Sequence, residues 1–244
     1  MLLSENERLD DLGLGGLRLI QDKTQFCFGV DAVLLSDFAR VKYRGRALDL
    51  GCGNGIIPLL LSHKTKASFI AGVELQSAAA ALAKRNVALN ELSERVKIFE
   101  DDLKNVSESY FGFAFDSVVS NPPYMEPARG EKNASQAQKI ARHEIACTVD
   151  DVIAAASRCL KFGGLFYMIH RPERIADIIT SMRRYTIEPK RLRAVHPKAG
   201  QNASMLLIEG QKGAHPSCIM LPPLYIHNSD GSYTDEINAI YERA

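Results

Sequence analysis

The segment Leu48-Asp49-Leu50-Gly51-Cys52-Gly53-Asn54-Gly55 constrains the fold more than any other part of the sequence. An apolar, strand-like run (Ala47–Leu50) meets three alternating glycines, and a helical pattern (Ile56–His63) follows at once. Glycine passes through left-handed backbone dihedrals at no steric cost and lets a ligand come close to the main chain. A strand that ends in such a turn and runs on into a helix begins a parallel β-α-β unit.

The middle of the chain repeats this alternation. Strands are predicted at Phe69–Glu74, Val96–Phe99, Phe115–Ser120 and Leu165–His170, and helices at Ser77–Leu89 and Asp151–Leu160. The alanine-rich run Ala78–Ala83 adds intrinsic helix propensity. Asp150 or Asp151 is expected to cap the next helix, and Gly163–Gly164 to stop it. A further helix (Glu173–Arg183) leads to two strand-like runs, Arg191–Val195 and Ala203–Glu209. The residues between them, His196–Asn202, are too few for a helical crossover, so this last pair should be antiparallel. The expectation is an α/β, Rossmann-like fold: a seven-stranded, mostly parallel sheet with a C-terminal antiparallel hairpin and helices on both faces. Residues 45–210 form its core. Residues 1–44, with a glycine-rich hairpin (Leu12–Ile20) and a helix from about Asp31, and residues 211–244, with a helical pattern at Asp235–Arg243, are attachments to a single domain.

Composition fits a soluble globular chain, at 46% hydrophobic and 24% charged residues. No apolar run is long enough to span a bilayer, and MLLSENERLDD is too acidic for a signal peptide, so the cytoplasm is the expected compartment. The five cysteines (Cys27, Cys52, Cys147, Cys159, Cys218) lack zinc spacing and read as reduced thiols.

The glycine turn also speaks about its ligand. Dinucleotide sites read G-x-G-x-x-G, whereas here the third glycine comes one position early and Ile56 occupies its place. Asp49, just ahead of the turn, would repel a diphosphate but favours a ligand carrying an ammonium and a sulfonium. Glu74, nineteen residues after Gly55 at the end of the second strand, can accept from both hydroxyls of a ribose. Asp101 and Asp102 close the third strand, where a carboxylate can accept from the amine of an adenine. Asp102 is preferred because Leu103 follows it and can cover the ring. Asp49-x-Gly51-x-Gly53-x-Gly55, then Glu74, then Asp102, resembles the cofactor site of class I S-adenosylmethionine-dependent methyltransferases. The resemblance spans roughly residues 29–210 and implies S-adenosylmethionine as cofactor.

At the end of the fourth strand stands Asn121-Pro122-Pro123-Tyr124. An exocyclic aromatic amine is a poor nucleophile because its lone pair is delocalised into the ring. Two acceptors on its N–H groups help free that pair, and the side-chain carbonyl of Asn121 and the backbone carbonyl of Pro122 can provide them. Consecutive prolines fix φ and keep the turn rigid, and Tyr124 offers a face on which a flipped base can stack. The tetrapeptide resembles the N-P-P-Y signature of methyltransferases that modify planar amino or amide nitrogens. It needs no metal and no covalent intermediate.

Within that family, adenine-N6 DNA enzymes usually need a further target-recognition region, and only 34 residues follow Gly210. Glutamine-N5 enzymes acting on release factors carry a helical domain ahead of the glycine turn, and only 48 residues precede Asp49. Phe26-Cys27-Phe28-Gly29-Val30-Asp31-Ala32, Ala141-Arg142-His143-Glu144, and the tail Pro223-Leu224-Tyr225-Ile226-His227 with Tyr233-Thr234 resemble bacterial enzymes that methylate adenine-N6 at position 37 of a valine tRNA. This implies a tRNA partner and places Phe28, Gly29 and Asp31 around the cofactor. Some members read K-V-G-T-D-G there, of which this chain keeps Gly29 and Asp31. Residues 183–198 carry Arg183, Arg184, Lys190, Arg191, Arg193 and Lys198 against Glu188 alone, a stripe suited to RNA phosphates. Two other readings of the chain are a protein glutamine methyltransferase and a non-enzymatic RNA-binding module. Residues Met125–Ile140 read either as a lid over the substrate or as a surface loop.

Overall fold

The computed structural model describes residues 3–23, 29–122 and 147–243. An antiparallel hairpin, β1 (Glu7–Asp11) and β2 (Arg18–Asp22), precedes helix α1 (Val30–Phe38). Strands and helices then alternate as β3 (Arg46–Leu50), α2 (Ile56–Lys64), β4 (Phe69–Glu74), α3 (Ser77–Leu89), β5 (Val96–Glu100), the short α4 (Glu108–Phe111) and β6 (Phe115–Ser120). The described chain resumes with α5 (Val149–Cys159), β7 (Leu160–His170), α6 (Ile175–Arg184), β8 (Ile187–Lys198) and β9 (Met205–Lys212). It ends with β10 (Ile219–Met220), β11 (Leu224–His227) and α7 (Asp235–Ile240).

Strands β5, β4, β3, β6 and β7 lie side by side in that order, all parallel. Strand β9 then runs antiparallel to both β7 and β8, as the short connection between β8 and β9 requires. The strand count departs from the expected seven. Two short strands from the tail, β10 and β11, add to the outer edge of β8 and make a nine-stranded sheet. Two- and four-residue strands on either side of Pro222 and Pro223 carry no periodic pattern that sequence reading can pick out.

Alternation along the strands sorts the core into two layers. Ala47, Ile70, Val119, Tyr167, Ile169 and Leu207 pack with α1, α2 and α7 on one face. Leu48, Leu50, Ala71, Val118, Phe166, Met168 and Ile208 pack with α5 and α6 on the other. Strands covered on both faces are apolar nearly throughout, which is why they read as continuous hydrophobic runs. The N-terminal hairpin and the C-terminal helix join the first layer through Leu14, Leu17, Leu19, Ile237 and Ile240.

Two local expectations are corrected. Helix α5 is capped by Thr148, whose hydroxyl accepts from the Asp151 N–H while the Asp151 carboxylate accepts from the Thr148 N–H; Asp150 and Asp151 are its first-turn acids. Gly163 and Gly164 do not end this helix. Leu160 already turns the chain into β7, and the two glycines lie within that strand, where its register with β6 shifts between Phe115 and Ser117. Gly163 takes φ +75°, the left-handed conformation such an irregularity needs.

Candidate active site

The carboxyl ends of β3, β4, β5 and β6 form one edge of the sheet, and the glycine turn, Glu74, Asp102 and Asn121 stand at those strand ends. After β3 the glycine turn is stitched to the neighbouring strand, with the N–H groups of Gly51 and Cys52 both donating to the Val73 carbonyl. Gly51, Gly53 and Gly55 all have positive φ. Gly55 is also packed, since a Cβ there would stand 3.1 Å from that of Ala83. This glycine begins α2, and Asn54 Oδ1 accepts from the Ile56 N–H at 3.3 Å.

Glu74, at the end of β4, is buried and shapes the turn from the other side. One of its carboxylate oxygens accepts from the Gly53 N–H and the other from the Gln76 N–H, both at 2.9 Å. Asp49 is fully buried, and neither of its carboxylate oxygens has a hydrogen-bond partner among the described residues. Burial, and then the neighbouring Glu74 carboxylate, push the Asp49 pKa well above the ordinary carboxylate range. An unpartnered buried acid beside a second acid is costly in isolation and calls for a cation. The site therefore fits a ligand bearing positive charge, as S-adenosylmethionine does. The Cys52 thiol, buried in the same turn, is pushed up by burial and then by Asp49 and Glu74, so it stays protonated and inert.

At the end of β5 the two aspartates divide. Asp101 serves the protein, accepting from the Asp102 N–H and from Asn105 Nδ2. The Asn105 hydrogen bond, together with that of Tyr110, holds the Asp101 carboxyl below its ordinary pKa. Asp102 gives one oxygen to the Lys104 N–H, and the buried Leu103 follows it.

Asn121 follows β6 directly, and β6 is the hydrogen-bonded neighbour of β3, so Asn121 and the glycine turn leave adjacent strands. The Ser120 hydroxyl donates to the Leu50 carbonyl and ties the two strand ends together. Asn121 Nδ2 donates to Asp31 Oδ2 at 2.9 Å, which brings the first residues of α1 into the same site. Pro122 is buried. Phe28, Pro123 and Tyr124 lie outside the described residues, as do His143 and the segment from Met125 to Ile140.

Sequence reading missed Asn86, a fully buried residue of α3. Its Oδ1 accepts from the Ile20 N–H, and its Nδ2 donates to the carbonyls of Ile20 and Asn54. Asn90, one turn later, pairs in the same way with Arg18, so two side-chain amides act as a strand edge for β2. Two asparagines four apart on an otherwise alanine-rich helix were the available signal.

The basic stripe resolves into separate pairs. Arg183 pairs with Glu188, Arg184 with Asp150, Arg191 with Glu209, and Arg193 with Glu236. Lys190 donates to the His215 carbonyl and the Ser217 hydroxyl. Lys198 helps keep the Asp230 carboxyl low, after the Ser232 hydrogen bonds that dominate there. The acids that answer Arg184, Arg191 and Arg193 come from outside residues 183–198, so the excess of charge along the chain is offset in space. Among the described residues no cluster of three or more His, Cys, Asp or Glu could hold a metal, and no helix is long and apolar enough to cross a membrane.

Residues 28–184 match the methyltransferase small domain model. A tRNA1(Val) (adenine(37)-N6)-methyltransferase from Aeromonas hydrophila is 31% identical over 88% of this chain and 88% of its own length. The enzyme of the same name from Yersinia pseudotuberculosis is 34% identical over 61% of this chain, and the match spans 58% of its length. In fold, a crystal structure of a predicted O-methyltransferase from Agrobacterium tumefaciens superposes with a TM-score of 0.70 at 24% identity, over 87% of this chain and 95% of that one. With its matched region running from the start of α1 to the end of α6 and enclosing the whole site, the chain belongs to the methyltransferase small domain family.

Proposed function

We propose that this chain methylates the exocyclic N6 of an adenine in tRNA, specifically adenine 37 of a valine tRNA, as the names of its relatives state for them. The observation that carries the chemistry is the placement of Asn121 one strand away from the orphaned Asp49, with its amide nitrogen held by Asp31.

Asp49 and Glu74 would hold the cationic cofactor at the glycine turn, Glu74 through its ribose hydroxyls, and Asp102 with Leu103 would hold its adenine. S-adenosylmethionine, when bound, supplies an electrophilic methyl group on a sulfonium. The Asn121 carbonyl and the Pro122 carbonyl accept from the two N–H groups of the substrate amine and bring its lone pair out of conjugation. The proton can leave after transfer, so neither acceptor has to be a strong base. The protein contributes alignment and pre-aimed acceptors rather than a covalent intermediate. Residues 1–244 act as a single methyltransferase domain in the cytoplasm; the shared core of the hairpin and α7 with α1 and α2 supports that reading.

Incubating the protein with labelled S-adenosylmethionine and either bulk tRNA or a translation release factor tests the proposal. Label in N6-methyladenine of tRNA is expected. Asn121→Ala should abolish that label while leaving cofactor affinity nearly intact. Label on the release factor alone would move the activity to a glutamine amide, and full activity of Asn121→Ala would remove the mechanism.

A further inference from the structure

The side chain of Asn121 has two opposite ends, a carbonyl that accepts and an amide that donates. A half-turn of the amide exchanges them in nearly the same space. Only the carbonyl can grip an amine; the amide would suit a substrate carbonyl. Asp31 makes the choice. Its Oδ2 accepts from Asn121 Nδ2 at 2.9 Å, and because a carboxylate has acceptors only, the reversed amide would set oxygen against oxygen.

Asp31 is itself held. It is buried in the first turn of α1, and its Oδ1 accepts from the Ala32 N–H at 2.9 Å. A Cβ at position 29 would stand 2.9 Å from that same oxygen, so Gly29 leaves the carboxylate its room. The hydrogen bond from Ser120 to Leu50 fixes the backbone just ahead of Asn121. Both partners of the Asp31–Asn121 contact are thus anchored before any substrate arrives.

We infer that Asp31 is a positioning residue that holds the Asn121 amide with its carbonyl turned away toward the substrate, and so selects an amine rather than a carbonyl-bearing acceptor. This deepens the proposed function, resting on Asn121 as the group that grips the amine, and it gives Asp31 a role beyond enclosing the cofactor.

Asp31→Asn tests the inference, because the new amide keeps the shape yet can offer Asn121 either its oxygen or its nitrogen. Asp31→Ala, which offers neither, is the second variant. Single-turnover methyl transfer at saturating substrate should fall at least tenfold in both. The KM for substrate should stay within threefold of wild type, with the cofactor held saturating on the Kd that each variant shows by calorimetry. A wild-type transfer rate in either variant would overturn the inference. Should the wild-type enzyme label a release factor and not tRNA, the tRNA assignment fails, while the same rate comparison on the glutamine amide still decides the role of Asp31.

Discussion

Asp49 and Glu74 lie at the ends of adjacent parallel strands, both buried, and only Glu74 has its charge answered by backbone N–H groups. The cofactor-free protein therefore carries an uncompensated acid at its ligand site. Removing the acid should help the empty protein and harm the complex. Asp49→Asn is expected to raise the ligand-free Tm by about 2–4 °C, the shift that roughly 1 kcal/mol produces in a chain of this size. It should also weaken S-adenosylmethionine binding at least tenfold. Thermal melts with and without the cofactor check both halves, and a lowered Tm with unchanged affinity would contradict the assignment.

The raised pKa of Asp49 has a definite sign with pH. In the unfolded chain the group ionises near its ordinary value of about 3.9; in the ligand-free fold it does so higher, because of burial and then Glu74. Its contribution to stability is fully present below the unfolded value and is lost as pH rises through the folded one. A cationic ligand prefers the ionised acid, so affinity for S-adenosylmethionine should increase with pH across that same window. Binding within it should also release a proton, which calorimetry in buffers of different ionisation enthalpy detects. A flat profile there would assign the cation to another group.

Asn86 joins the N-terminal hairpin to the glycine turn. Asn86→Ala leaves one N–H and two carbonyls without their partner, at a cost of about 1–3 kcal/mol for each group left buried and unsatisfied. A drop in the denaturant midpoint is expected, with faster hydrogen exchange at the Ile20 amide and weaker cofactor binding, because Asn54 sits in the turn. Unchanged exchange at Ile20 would show that the hairpin is held by its apolar contacts alone.

Arg191 is held within the fold by contacts on both sides. It pairs with Glu209, lies over the ring of Phe38, and both members of the pair are largely buried. Arg191→Ala leaves Glu209 unanswered and should destabilise the protein by about 3–5 kcal/mol, the usual cost of breaking a buried pair. At temperatures where the variant stays folded, the KM for tRNA should change less than twofold. A large rise in that KM with normal stability would restore Arg191 to the RNA surface.

Much of the fold was legible because its signals are local. Strands Phe69–Glu74 and Phe115–Ser120 and helix Ser77–Leu89 match their expected bounds, since buried parallel strands are apolar throughout and the alanines favour a helix. The cap at Thr148 is not the residue the sequence points to, because two acids just after it also suit a helix start. Gly163 and Gly164 read as a helix stop because a glycine bulge inside a strand looks, in one dimension, like a helix end. Strands β10 and β11 were missed because they pair only by lying along an edge that other residues create.

By itself, then, the sequence determined the order of strands and helices, the glycine turn and the chemical type of each candidate side chain, all set by periodicity and by neighbours a few positions away. The tertiary structure decided which of those side chains meet. Asp31 reaches Asn121 across 90 positions, Asn86 reaches Ile20 across 66, and acids distant in the chain answer the basic residues of β8. Such contacts follow from how helices and strand ends pack around a shared sheet. That packing is a property of the whole core, so no short window of residues can encode it.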